Sequence, residues 1–303
     1  MNRKIIWLLA GCVALWIAGH SSTDFVRYVA GLIAINAMIA VSLDILLGSV
    51  GLISIGHAGF VAIGAYTAAV LTGHGWPFWA TVPVAGTLAT LCGLLLGVPS
   101  LRLTGFYLAI ATLAFGGVVE QAIRSMDSIT GGAFGMQIAV PSFFGIKLGA
   151  GGYFNVLIFA LAIFLLAAHF LARSVSGRAM LAVKDSEPAA QAIGFDIVAV
   201  KLLAFALSGF GAGVAGALYA PLVGFIGPEH FTFMTSVAYV AMAVVGGVGA
   251  MGAFVGAAVV TALPEVFAGL RDYAELVWGG ALLLILLLSP RGIVHLFRKR
   301  VMR

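Results

Sequence analysis

The feature that most constrains this chain is a succession of long apolar runs, nearly free of charge and separated by glycine, proline or short charged turns. Ten such runs can be drawn, at about 5–19, 28–47, 57–73, 79–98, 104–123, 153–172, 202–226, 233–249, 252–270 and 275–289. A helix that crosses a bilayer needs about 20 mostly apolar residues and must satisfy its own backbone polar groups. Charged residues make up 9% of the 303, against roughly 25% in soluble chains, so no water-facing shell could cover a globule of this size. The expected fold is therefore all-α and polytopic, a single membrane domain over 1–303 with about ten transmembrane segments, some of them short or broken. Ten spans use about 200 positions, which leaves no room for a catalytic domain beside them.

The placement of the basic residues sets orientation, because Lys and Arg in short loops stay cytoplasmic. With ten spans the inner side collects Arg3, Lys4, Arg102, the basic residues of 173–201 and those of 291–303. Arg27, Arg124, Lys147 and Arg271 remain outside. Both termini are accordingly expected in the cytoplasm. The basic start and apolar middle of Met1 to Gly19 read as an uncleaved signal anchor. Two stretches are too polar to span: 124–152, a glycine-rich external loop, and 173–201, the most charged segment, on the cytoplasmic side.

Within 173–201 a helix start is written out. Asp185 or Ser186 can serve as N-cap, Glu187 places an acid in the first turn, Pro188 sits where its missing N–H costs nothing, and Gly194 supplies a stop. The helix is about two turns long and would not hold alone in water. Its small-residue surface of Ala189, Ala190 and Ala192 suits close packing in a groove of a partner better than a lipid surface, although an ordinary interspan turn fits the same residues.

Glycine interrupts the apolar runs at 48–57 and 246–252, in comparable places of the two halves. Non-helical backbone at membrane depth is tolerated only where protein or water surrounds it, and paired interruptions point to a repeat with a path at its interface. Gly209 with Gly213, and Gly252 with Gly256, have the four-residue spacing that lets helices approach closely. No lysine of a phosphate-binding loop follows any of these glycines, so ATP hydrolysis is not expected in this chain. An ionisable residue within a span is a functional candidate. Asp44 near a span end, with His57 as its candidate partner, together with Ser54, Tyr66 and Glu265, forms the set of path candidates. The alternative for Asp44 is to cap the turn at Ser49 to Ser54. Glu120 and Arg124 are spaced to pair on one helix face. Cys12 and Cys92 stand alone, and the histidines show no metal-ligand spacing, so no metal site or nucleophile is indicated.

Several stretches together, in this order, resemble a known family. GLISIGHAGFVAIGAYTAAVL (51–71), LRLTGFYLAIATLAFG (101–116), TGGAFGM (130–136), SGRAMLAVKDSEPAAQAIGFDIVAVK with the span after it (176–231), and MAVVGGVGAMGAFVGAAVV (242–260) are similar to the LivM-type permeases of branched-chain amino acid ABC importers. The resemblance implies a bacterial inner (plasma) membrane subunit, without a cofactor of its own, that imports Leu, Ile or Val. The partners it implies are a homologous LivH-type permease, two ATPase subunits that bind the ATP, and a periplasmic substrate-binding protein; lipid surrounds it, and no nucleic acid is involved. It further implies that Gly177, Arg178, Lys184, Asp185, Glu187, Pro188, Ala190, Ile193 and Gly194 belong to the segment that docks in an ATPase groove. Asp44 stands where the family usually has Asn, and Phe134 where Asp or Asn is common. A permease for another small polar solute, such as urea, an amide or a sugar, and an ion-coupled secondary transporter are the competing readings.

Overall fold

The computed structural model describes residues 3–21, 23–103, 105–138, 141–143, 146–266, 279–280 and 292–294. The chain is all-helical and polytopic. Nine of the ten expected spans coincide with helices: α1 (Arg3–Ser21), α2 (Asp24–Asp44), α3 (His57–Gly73), α4 (Phe78–Ser100), α5 (Phe106–Ser125), α7 (Ala150–Arg173), α10 (Ile197–Val223), α11 (Phe233–Gly246) and α12 (Ala250–Val266). The run at 275–289 apart from 279–280, the carboxyl terminus and the Glu265 side chain lie outside the described residues. Three shorter helices also occur among the described residues, α6 (Asp127–Thr130), α8 (Val175–Asp185) and α9 (Glu187–Ala192).

Five of these helices are long and apolar enough to cross a membrane: α2 with its continuation to Val50, α4, α5, α7 and α10. The shorter ones explain where the glycine goes. The 14 residues of α11 reach only about 21 Å, and the 17 of α3 or α12 about 25 Å, less than the roughly 30 Å of a hydrocarbon core. The ends that meet the glycine interruptions are buried in protein, at His57 of α3 and Gly246 of α11.

α2 continues through a π-helical turn, Ile45–Val50, that closes on Gly51 at a φ of 80°. The chain then doubles back extended through 51–56, so that His57 at the start of α3 meets Ser42, about 12 Å up the α2 axis from Val50. N–H groups at the break find hydroxyls on neighbouring helices: Ile55 N–H donates to Thr112 Oγ1 (2.9 Å) on α5, and Ala58 N–H, in the first turn of α3, to Ser236 Oγ (3.0 Å) on α11. The second interruption, 247–249, is tighter, with Gly247 and Gly249 both at positive φ.

α10 is the central rod, packed most extensively on α4 and then on α3. Glycine makes this contact possible. A Cβ at Gly209 would lie 2.7 Å from the Ala89 carbonyl oxygen, and one at Gly213 2.8 Å from that of Ala85. Gly252 and Gly256 serve the α11–α12 hairpin in the same way, facing the Gly247 and Met242 carbonyls. α2 is the most enclosed span, 78% buried along its apolar window; α5 is the least, at 22%.

The two ends of the bundle differ in character. At one, four two-residue strands tie down the 124–152 segment: β1 (Met136–Gln137) pairs antiparallel with β4 (Phe225–Ile226), and β2 (Ser142–Phe143) with β3 (Ile146–Lys147). At the other, 173–201 is more helical than its charge suggested. α8 occupies eleven residues read as loop from sequence, and α10 starts at Ile197, five residues before the expected span.

Candidate translocation and coupling site

At the charged end, α8 and α9 are built by local capping. Ser174 Oγ accepts the Gly177 N–H (3.0 Å), and Ser186 Oγ accepts that of Ala189 (3.4 Å). Of the two candidate caps for α9, Ser186 takes the position, and Gly194 ends the turn at a φ of 93°. The residues assigned to coupling divide by the direction they face. Gly177 and Ala190 are buried, and a Cβ at Gly177 would overlap the Leu171 carbonyl oxygen. Arg178, Asp185, Pro188, Ile193 and Gly194 are exposed, with Ile193 at 71%. Glu187 turns back to the bundle, where its carboxylate meets Lys201 Nζ at 2.7 Å; Lys201 is 2% exposed. Lys184 is exposed as a residue, but its ammonium reaches back to donate to the Gly48 carbonyl at 2.6 Å.

The path candidates do not converge on one point. Asp44 is 8% exposed, and its carboxylate accepts the Gly249 N–H through both oxygens, at 3.1 and 3.0 Å. It caps the entry to α12 across the bundle, and the turn at 49–54 that follows it in sequence has other partners. Neither is it paired with His57. That ring is fully buried and sits 2.8 Å from Ser42 Oγ. The Ser42 proton reaches the Ile39 carbonyl (2.7 Å), so the arrangement satisfying both groups has His57 Nε2–H donating to Ser42 Oγ. Ser54 Oγ, His57 Nδ1 and Tyr66 OH are buried without a hydrogen-bond partner among the described residues. Such groups are uncommon in folded proteins.

An open, shallow cavity of about 460 Å³ lies between α2, α10 and α11. Leu32, Met234, Ala238 and Met242 give it apolar walls, while Asn36, Tyr219, His230, Thr235 and Tyr239 supply polar groups. Asn36 is fixed by a hydrogen bond to Thr261 on α12 (2.9 Å). Beside the cavity the turn Pro228–Phe231 sets Phe231 edge-to-face against both Tyr66 and Tyr219, with ring centroids 6.0 Å apart in each pair. On neighbouring α5, Arg124 and Glu120 form the expected i,i+4 pair at 3.0 Å. The sequence reading missed this cavity. Its signal was four polar or aromatic side chains in otherwise apolar runs at matching depth, and depth is not written in one sequence. Among the described residues no group of three His, Cys, Asp or Glu side chains could hold a metal.

Comparison with known proteins gives the arrangement its context. The chain is similar to the high-affinity branched-chain amino acid transport system permease protein LivM of Escherichia coli (strain K12), 34% identical over 90% of this chain and 71% of that protein. The LivM of Salmonella typhimurium is likewise 34% identical, with the same shares covered. The autoinducer 2 import system permease protein LsrC of Escherichia coli O9:H4 is 28% identical over 76% of this chain and 71% of its own length. No solved structure matches. The family model for the permease component of branched-chain amino acid transport systems matches residues 25–288, almost the whole of the bundle just described, and the chain belongs to that family.

Proposed function

We propose that this multi-pass permease forms half of the translocation path of an ATP-driven importer for branched-chain amino acids in a bacterial inner membrane. It crosses the membrane about ten times with both termini in the cytoplasm. A second, homologous permease completes the path, two ATPase subunits bind the ATP, and a periplasmic binding protein delivers solute to the strand end. The chain is a transport component and not an enzyme.

The observation that carries this reading is the form of the charged end. α9 is held from behind by Glu187 on the buried Lys201, while Ile193 and Leu181 present exposed apolar side chains in a charged loop. A surface of that kind suits a partner groove, and a push on it passes to α10 by direct contact. An apolar anchor in such a groove is worth about 2 kcal/mol or more, about thirtyfold in affinity. Ile193→Asp should therefore reduce recovery of the ATPase with the tagged permease by about that factor, without changing the permease's thermal stability. Deleting 186–194 should abolish ATP-driven uptake of labelled leucine, and unchanged uptake after the deletion would overturn the reading.

The likeness to LsrC favours, as a second reading, a permease of the same kind for another small polar solute. Competition of leucine uptake by Ile, Val, urea, short amides and sugars separates the two. Only Ile and Val should compete.

A further inference from the structure

The two glycine interruptions are 200 residues apart in sequence, yet one pair of side chains ties both to the cytoplasmic-end loop. Lys184, in the last turn of α8, donates to the carbonyl of Gly48 in the π-helical turn that ends α2. This carbonyl lies at a helix end, where the last C=O groups lack intrahelical partners and the dipole favours a cation. One turn earlier, Asp44 accepts the N–H of Gly249, the residue before α12. An anion is favoured at a helix start for the same reasons. Asp44 also folds over Gly48 so closely that a Cβ there would overlap its carboxylate. Ammonium, α2 end, carboxylate and α12 start thus form one continuous contact.

We propose that Lys184 and Asp44 are the positioning residues that make the two interrupted segments move with the cytoplasmic loop. The proposal rests on the functional reading above. When a partner displaces α8, Lys184 draws on Gly48, the Asp44 carboxylate seated on Gly48 shifts, and its hold on Gly249 changes in the same step. The interruptions then rearrange as a unit. Asp44 acts through backbone groups on two helices and does not touch solute, in contrast to its role as a path candidate. Glu187 on Lys201 is a separate tether of the same loop to α10, so loss of the clamp leaves the loop attached.

The test uses the assembled complex in proteoliposomes, with Lys184→Gln, Lys184→Arg, Asp44→Asn and Gly48→Ala in this chain. Gly48→Ala changes no charge and dislodges the carboxylate by volume alone. Leucine taken up per ATP hydrolysed should fall about tenfold in Lys184→Gln and Gly48→Ala and recover to within about threefold in Lys184→Arg, with the KM for leucine unchanged. Hydrogen exchange of the 247–252 amides, read in the same preparations, should quicken about tenfold in the first two variants. Asp44→Asn keeps an acceptor oxygen and should fall between them and the wild type. An unchanged ratio together with unchanged exchange overturns the clamp, and so does a raised KM at an unchanged ratio, which marks a path residue. A wild-type complex that takes up no leucine with ATP overturns the functional reading instead, and the exchange measurement then decides the clamp by itself.

Discussion

A single lysine shows how much of this molecule is electrostatics at low exposure. Lys201 is 2% exposed and has its carboxylate partner at 2.7 Å, but Glu187 keeps 42% of its side chain in solvent. A buried charge left alone is costly, whereas replacing both members of a pair is often nearly neutral. Glu187→Ala should therefore destabilise the subunit by about 1–2 kcal/mol, the lower end for a charged hydrogen bond because solvent screens the acid. Lys201→Met with Glu187→Ala should restore most of that loss. Thermal unfolding of the purified subunit across the double-mutant cycle checks it, and additive losses would mean that the two side chains do not interact. Individual side chains were unevenly legible in the sequence. Lys201 and Glu187 were visible as charges flanking a span, as was Asp44 as an acid at membrane depth. Their partners were not, and for Asp44 the reason is physical: the Gly249 N–H is a backbone donor 205 residues away and leaves no side-chain signature.

At the level of elements, spans are legible because a bilayer imposes length and exclusion of charge, and nine helices lie where apolar runs predict them. α8 was hidden by the opposite circumstance. It is short and charged, and only the buried triplet Ala179, Met180 and Val183, with the Ser174 cap, betrays its period. Glycine likewise announced that the chain breaks at 48–57 without saying what would pair with the freed backbone. The answer is Thr112 and Ser236, hydroxyls on two helices remote in sequence. Ser236 is buried and its Oγ accepts the Ala58 N–H. Ser236→Ala should leave that donor unpaired at a cost of about 1–3 kcal/mol, and Thr112→Val should do the same to Ile55 N–H. Faster protease cleavage near residues 51–58 in both variants is the expected result. Cleavage at the wild-type rate would mean that water, not a hydroxyl, satisfies those amides.

For the molecule as a whole, α10 joins what the two ends do. It starts at Ile197 beside the charged loop, passes α4 and α3 at van der Waals distance, and ends at Gly224 beside the strands and the cavity lined by Tyr219. A rod in such contact carries displacement only while its neighbours stay close. In lipid that closeness comes from small residues, since apolar surface gains nothing by leaving apolar solvent. Gly213 is the critical point, because a Cβ there would meet the Ala89 side chain at 2.5 Å and the Ala85 carbonyl at 2.8 Å. Its own carbonyl lies against Gly64 of α3. Backbone cannot yield as a flexible side chain can, so even Gly213→Ala must part α10 from α4. Overpacking of that kind costs about 1–3 kcal/mol, although alanine is intrinsically the better helix former by about 1 kcal/mol. Gly73→Ala, in the last turn of α3 with no atom within 4 Å of the added methyl, is the control that carries the propensity gain alone. Gly213→Ala should lower the thermal midpoint and leucine uptake together, while Gly73→Ala should leave both unchanged or slightly raised. Equal behaviour of the two variants would show that α10 and α4 are not in the tight register that joins the charged loop to the cavity.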